Sequence, residues 1–478
     1  MLFSTLLLLH LGFFFLWGLQ LMLAGASPLV KRRAASSEDM KASVFNPNLN
    51  LFNTDPFEGI DMNQNKFRYS KLPPILSSPN ATQRTIKPGE IPSYVLEYCP
   101  FVHLYSEERY LPYDVNEFVS NFHLTFFNGT NLTDHDKLNG SPLTLKELAN
   151  YAKLSQVEEV YLTSNEDFSK DPKWLTGLKN KPSLETGLIK NAPAILIVVD
   201  KGNGWLDSFW FYFYSFNLGP FVMGHGPYGN HVGDWEHSLV RFYNKKPMLL
   251  WMSSHGGGDG YIFNAIEKFN HYPNKLQKNR RRQKENKTYD PRNKRPIIFS
   301  ARGTHANYAS VGQHAHDIPY SILSDFTDRG PLWDPSLNFL GYTYDSNDNL
   351  TPQNGSHYPE STYGDWLKFR GHWGDKKIPP SDSRQVWSPW EWKYIDGPRG
   401  PLNKNLIRTI TCQRFKWWNF WNGCKINTYI KMGDGVESEG AANCRVLNNK
   451  IQNDFFRFIL TYVSYGGWLC YFIDYFWG

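Results

Sequence analysis

Between Ala194 and Gly303 the chain lays down five short segments rich in β-branched and aromatic residues, and no helix of ordinary length fits between most of them. They are AILIVVD (194–200), DSFWFYFYSF (207–216), EHSLVRFY (236–243), PMLLWMSSH (247–255) and RPIIFSARG (295–303), each bounded by Gly, Pro, Asn or Asp. Flat rings suit a pleated surface, and aromatic residues make up 16% of the chain. The pattern predicts a mainly β protein: an antiparallel β-sandwich core with a few short helices, rather than a βαβ fold. One helix is expected in SPLTLKELANYAKL, where Thr144 and Glu147 have capping-box spacing. The stretch 274–296 holds ten Lys or Arg against Glu285 and Asp290, so the net +6 of the chain conceals a remainder of −2. With Tyr289 its sole aromatic, this run reads as a solvated loop inserted between strands, and no nucleic-acid partner is expected.

The ends of the chain set its compartment. Met1 to Val30 carries no charged side chain and includes the small-x-small pattern Ala24-Gly25-Ala26, so residues 1–26 read as a signal peptide or an uncleaved signal anchor. Residues 27–92 are polar and aperiodic, as in a stem or propeptide; 93–401 form the β domain; 402–478 form an aromatic tail. Sequons at Asn80, Asn128, Asn131, Asn139, Asn286, Asn349 and Asn354 fit a lumenal or extracellular body. Cys412, Cys424, Cys444 and Cys470 lie in the tail and are expected to staple it with disulfides, leaving Cys99 free or paired elsewhere. The expected location is the secretory pathway, vacuole or cell surface, with a single membrane pass if the leader stays attached.

Chemistry concentrates in GNHVGDWEHSLVRF (229–242). On a strand Asp234 and Glu236 share a face, while Trp235 and His237 take the other. His231 falls on the wrong parity, and Gly233 would permit a bulge that brings it round. Two carboxylates and an imidazole suit Mg²⁺, Mn²⁺ or Ca²⁺ better than a thiolate zinc site. A capped turn with solvated side chains would account for the same spacing. Eight of the 14 histidines lie between 225 and 316, and His255 and His305 end predicted strands, so both are candidate supporting residues. His255–Gly258 reads HGGG, the oxyanion loop of some esterases, but no Gly-x-Ser-x-Gly elbow occurs in the chain. Side-by-side carboxylates also fit poorly with a glycosidase pair, whose members flank a bond.

The blocks DSFWFYFYSFNLG, GNHVGDWEHSLVRF, SSHGGGDGY, ARGTHANYAS, DRGPLWDPSLN and FRGHWGD, within Tyr94 to Pro401, resemble the vacuolar protein sorting-associated protein 62 family of fungi. The resemblance implies a part in delivering proteins to the vacuole and brings no catalytic residues. A more distant motif resembles the necrosis-inducing, cytolysin-like proteins. Their Gly-His-Arg-His-Asp-Trp-Glu helps hold a divalent cation on a β-sandwich that binds membrane glycolipid. Its first His, Asp and Glu match His231, Asp234 and Glu236; Gly233 replaces the second His, and Asn217 stands where an Asp is expected. The leading expectation is therefore a non-enzymatic sorting protein whose divalent-cation site serves structure or recognition of a glycan or lipid headgroup, with membrane association through the N-terminal segment. A metal-dependent hydrolase, in which His255 or His305 moves protons, and a structural wall or membrane-surface protein are the alternatives.

Overall fold

The computed structural model describes residues 72–132, 142–221, 226–269, 290–315, 324–355, 364–388, 391–413, 426–427 and 430. All belong to the compact unit Leu51–Gly478; the other unit, Met1–Asn50, lies outside the described residues, and with it the leader. Among the described residues no helix is long and apolar enough to cross a membrane.

The strands, in chain order, are β1 (Phe101–His103), β2 (Phe122–Phe126), β3 (Val160–Ser164), β4 (Ala194–Gly202), β5 (Trp205–Asn217), β6 (His231–Tyr243), β7 (Lys246–Ser254), β8 (Gly257–Ile262), β9 (Ile297–Ser300), β10 (Asn307–Tyr308), β11 (Gly312–Ala315), β12 (Ser324–Thr327), β13 (Leu332–Trp333), β14 (Phe339–Tyr344), β15 (Leu350–Pro352) and β16 (Ile426–Asn427). All five predicted segments are strands. The predicted helix is Leu145–Asn150, with Thr144 and Glu147 forming both bonds of the capping box.

The protein is mainly β, but its sheets are mixed. The central sheet runs β15-β14-β4-β5-β6-β7-β8-β16. Its middle, β4 to β8, is an antiparallel meander, whereas β14 joins β4 and β16 joins β8 in parallel. A second sheet, β10-β9-β1-β13, also contains a parallel pair, β1 with β9. The purely antiparallel sandwich is therefore corrected to a mixed sheet covered on both sides.

The reason lies in β5, which is buried at every position. Trp210, Tyr212 and Tyr214 pack toward Val102, Ile298 and Trp333 of the second sheet. Phe209, Phe211 and Phe213 pack the opposite way, among Phe118, Leu148, Leu162, Trp366 and Trp373 from short helices and the β2–β3 pair. A strand apolar at both parities must be covered on both faces.

Segments outside the β domain as read from composition also join this body. Residues 72–76 lie along the β4–β5 turn: Leu76 N–H donates to Lys201 O, and Trp205 Nε1 donates to Pro73 O at 2.8 Å. On the helix-covered face, Asp207 and Arg241 stand opposite one another on β5 and β6 and form a two-pronged ion pair at 2.7 and 2.8 Å, fully buried. Lys201 lies 3.8 Å from the same carboxylate. Their remaining donors are taken by the carbonyls of Leu406, Arg408 and Thr409, so the segment after Gly400 completes a charged network inside the sheet.

Cys99 is a buried free thiol, and Cys412 carries a disulfide whose other half lies outside the described residues, as do Cys424, Cys444 and Cys470. Asn80, Asn128, Asn131, Asn349 and Asn354 are exposed; Asn139, Asn286 and most of the basic stretch fall outside the described residues.

Candidate functional site

From His231 to Phe242 the motif lies inside β6, which begins at His231 rather than at Glu236. Register with β5 is regular across it: Tyr214 opposes Asp234, Phe216 opposes Val232, and Asn217 opposes His231. The bulge expected at Gly233 is absent. Gly233 instead has φ +68°, and a Cβ there would sit 1.9 Å from the Trp373 carbonyl oxygen. The glycine accommodates a crossing chain, not an extra residue.

Strand parity holds as predicted. Trp235 and His237 face the aromatic interior, where His237 stacks on Phe211 at 4.8 Å. Asp234 and Glu236 face the second sheet, whose β9–β10 turn carries His305 over them. His305 Nδ1 lies 2.9 Å from Asp234 Oδ2, and Nε2 lies 2.9 Å from the Tyr110 carbonyl. The Tyr110 carbonyl can only accept, so Nε2 donates to it, and a carboxylate at Nδ1 favours a second donated proton and the imidazolium form. Burial opposes that charge, but the hydrogen bond to Asp234 and the nearby Glu108 carboxylate prevail and push its pKa up to about 9. Tyr214 stacks parallel to the ring at 3.7 Å. Glu108 approaches Nε2 at 3.8 Å and accepts the backbone N–H groups of Gly303 and Tyr110. Burial works against the Glu108 charge; the imidazolium and these amides outweigh it and hold its pKa below the usual range.

Glu236 sits beside this clamp and forms no ion pair with any described residue. Its carboxyl accepts the Ser253 hydroxyl, and Ser253 Oγ in turn accepts the His237 N–H at 2.8 Å. Burial first, and the neighbouring Asp234 charge second, push Glu236 up to about 8. Asp234 Oδ1 and Glu236 Oε1 accept no hydrogen bond from any described residue, and each side chain retains slight exposure.

The half-buried His231 gives its Nδ1 hydrogen to Gly233 O at 2.6 Å, and burial holds its pKa below the usual range. Its neutral form thus carries the lone pair on Nε2, the tautomer a metal ligand needs. The donor types fit a hard divalent cation. Nevertheless, among the described residues no three His, Cys, Asp or Glu side chains group as a closed ligand set.

Asn217 donates to Gly229 O at 3.0 Å and fixes the turn that leads into β6. His255 occupies the two-residue β7–β8 turn at φ +49°, with Nε2 2.7 Å from Asp325. Asp325 also accepts Thr304 and Tyr308 at 2.8 Å, tying His255 to the chain that carries His305. Glu108 and Asp325 were invisible to spacing, because each reaches the cluster from a distant segment. Ser253 was within sight, two residues before His255.

No family model matches the chain. It is 52% identical over 429 residues to the Saccharomyces cerevisiae protein TDA6, provisionally named a vacuolar protein sorting-associated protein, covering 86% of this chain and 90% of that one. It is 48% identical over 443 residues to vacuolar protein sorting-associated protein 62 of the same yeast, covering 89% and 92%. Among solved structures, a "Toxin fold for microbial attack and plant defense" is 12% identical with TM-score 0.22, covering 49% of this chain and 76% of that one. "NLPPya in complex with mannosamine" is 12% identical with TM-score 0.21, covering 60% and 96%. Identity near one half over almost nine-tenths of the chain is decisive by itself: the chain belongs to the vacuolar protein sorting-associated protein 62 family.

Proposed function

We propose that this protein acts in vacuolar protein sorting as a non-catalytic binding module of the secretory pathway. In this reading, Asp234 and Glu236 receive a divalent cation that recognises a glycan or lipid headgroup. The sorting role is supported by the names of its relatives. The cation reading is carried by one observation: the two carboxylates share a strand face, and each keeps an oxygen without a hydrogen-bond partner among the described residues. Mg²⁺, Mn²⁺ or Ca²⁺ takes six to eight ligands, so these two carboxylates would supply part of a shell, and His231, on the other strand parity, would join only if the strand start moved. Water and ligand oxygens would supply the rest. A binding role is further supported by His305, which is locked between acceptors under Tyr214 and so is poorly placed to pass protons to a substrate.

Calorimetry of the full chain with Ca²⁺, Mg²⁺ or Mn²⁺, wild type beside Glu236→Gln, tests the cation reading. The expected result is saturable one-site binding by wild type, weakened at least about tenfold in the variant. Binding should release close to one proton near pH 7, because the cation must displace the proton held on Glu236, and the measured heat should therefore depend on the buffer. No saturable binding, or equal affinity in both proteins, would sink it.

A further inference from the structure

The sequons at Asn80, Asn128 and Asn349 lie wholly among the described residues, and a sequon marks only where a glycan is permitted. Their surroundings differ. The Asn349 side-chain amide is engaged, donating to Asp345 Oδ2 at 3.2 Å. So is that of Asn354, whose sequon runs past the described residues; it donates to Pro88 O at 3.5 Å. At Asn80, Oδ1 accepts the Thr82 hydroxyl at 2.8 Å and the amides of Thr82 and Gln83, in a turn preceded by Ser78 and Pro79. Asn128 alone of these has an aromatic ring two residues before it, Phe126, and the chain sets that ring opposite the threonine of its own sequon.

At Phe126 the strand β2 doubles back. Leu132 N–H donates to Leu124 O, Thr125 bridges Asn131, and Phe126 N–H donates to Thr130 O at 2.9 Å, so Phe126 and Thr130 oppose one another and share a face. The connection has the hydrogen bond and the left-handed glycine of a bulged hairpin turn: Gly129 N–H donates to Phe126 O at 2.9 Å, and Gly129 has φ +84°. Asn128 Oδ1 accepts Thr130 N–H at 3.0 Å, which draws the side chain back towards that pair and leaves Nδ2 donating to no described residue. Asn128, Gly129 and Thr130 are exposed, and a Cβ on Gly129 would meet nothing within 4 Å, so the tip has room for a bulky group. Phe126 rests partly on the aromatic core and has no ring or cation against it among the described residues, whereas Phe127 is capped by Lys376 at 3.3 Å.

We propose that Asn128 carries an N-linked glycan whose first N-acetylglucosamine packs on Phe126 and Thr130, so that the sugar becomes part of the folded turn. Attachment joins Nδ2 to C1 of a lipid-pyrophosphate-linked oligosaccharide: the C1–O bond breaks, the pyrophosphate leaves with the electron pair, and the amide loses one proton. One face of the pyranose is lined by C–H groups, which the electron-rich face of a phenyl ring attracts. Thr130 adds a methyl group on the same face. The disulfide at Cys412 marks an oxidising compartment, where such a transfer takes place. This inference shares with the reading above only the secretory compartment; neither Asp234 nor Glu236 enters it.

The test uses the full chain isolated from a fungal secretory host. Glycan release by peptide-N-glycosidase in heavy-oxygen water turns each occupied Asn into a labelled Asp, read by mass spectrometry. Asn128 is expected to be labelled in nearly every molecule, ahead of Asn349 and Asn354. A labelled Asn80 beside an unlabelled Asn128 overturns the site and leaves the compartment standing, whereas no label at any sequon overturns both. Asn128→Gln should lower the melting temperature by about 2 °C in wild type and in Phe126→Tyr, which keeps a ring, but by much less in Phe126→Leu, which keeps only apolar bulk. The bond from Thr130 N–H is lost alike in every background and cancels. An equal fall in wild type and Phe126→Leu overturns the packing of the sugar on Phe126.

Discussion

His305 is held in its charged form by its neighbours, and that makes alkaline pH the weak side of this fold. Its pKa in the folded protein, about 9, exceeds the 6.5 of a free imidazole. Its contribution is therefore complete below pH 6.5 and is lost as pH rises through 9. Glu236 acts in the same direction from the opposite chemistry. Raised from 4.5 to about 8, it binds its proton more tightly when folded, so the fold loses stability across that interval as the carboxyl ionises. Through these two groups the melting temperature should accordingly fall between pH 4.5 and 9, and Glu236→Gln should recover part of the loss at pH 9, by up to a few kcal/mol. Near pH 4.5 the two proteins should melt together. Thermal melts across pH check this; a Glu236→Gln protein no more stable than wild type at pH 9 would show that Glu236 does not ionise at a cost. At this scale the sequence was half legible. Parity placed Asp234 and Glu236 together correctly, since it depends only on the strand. The imidazolium could not be foreseen, because its second acceptor, Tyr110 O, lies 195 residues away.

At the scale of elements, Gly233 carries more constraint than either carboxylate. Its φ of +68° strains any side chain, and the Trp373 carbonyl occupies the space a Cβ would fill. Gly233→Ala should cost about 3 kcal/mol or more, read as a lower denaturant midpoint, and should disturb Trp373, which packs edge-on to Trp235 at 5.5 Å. The sequence marked this glycine as special but suggested a bulge; the close approach belongs to a chain 140 residues further on. The strands themselves were readable because aromatic and β-branched runs between turn residues leave little alternative. Their assembly was misjudged for a reason also present in the letters. WFYFYSF has no polar parity, whereas a sandwich strand with one wet face alternates.

For the whole molecule, the governing fact is that chain ends close the middle. Leu402 and Leu406 join the aromatic core, and three carbonyls between Leu406 and Thr409 complete the Lys201–Asp207–Arg241 network. A chain stopped at Gly400 would leave buried cations with unanswered donors, a loss of about 3–5 kcal/mol before the apolar contacts are counted. Such a protein should show no cooperative melt and rapid proteolysis; a sharp transition near that of the full chain would contradict this. Composition drew a boundary here because the tail changes in character, yet polar backbone at a domain edge gives no sign of the charges it will satisfy. The arrangement also sets a clock on synthesis. Arg241 precedes Thr409 by 168 residues, roughly ten to thirty seconds of translation, during which the centre of the sheet must stay wet. The fold can close only after most of the polypeptide has been delivered, so an abortive product stalled before residue 409 carries a visible mark of its incompleteness: two cations and a carboxylate that no dry interior will accept.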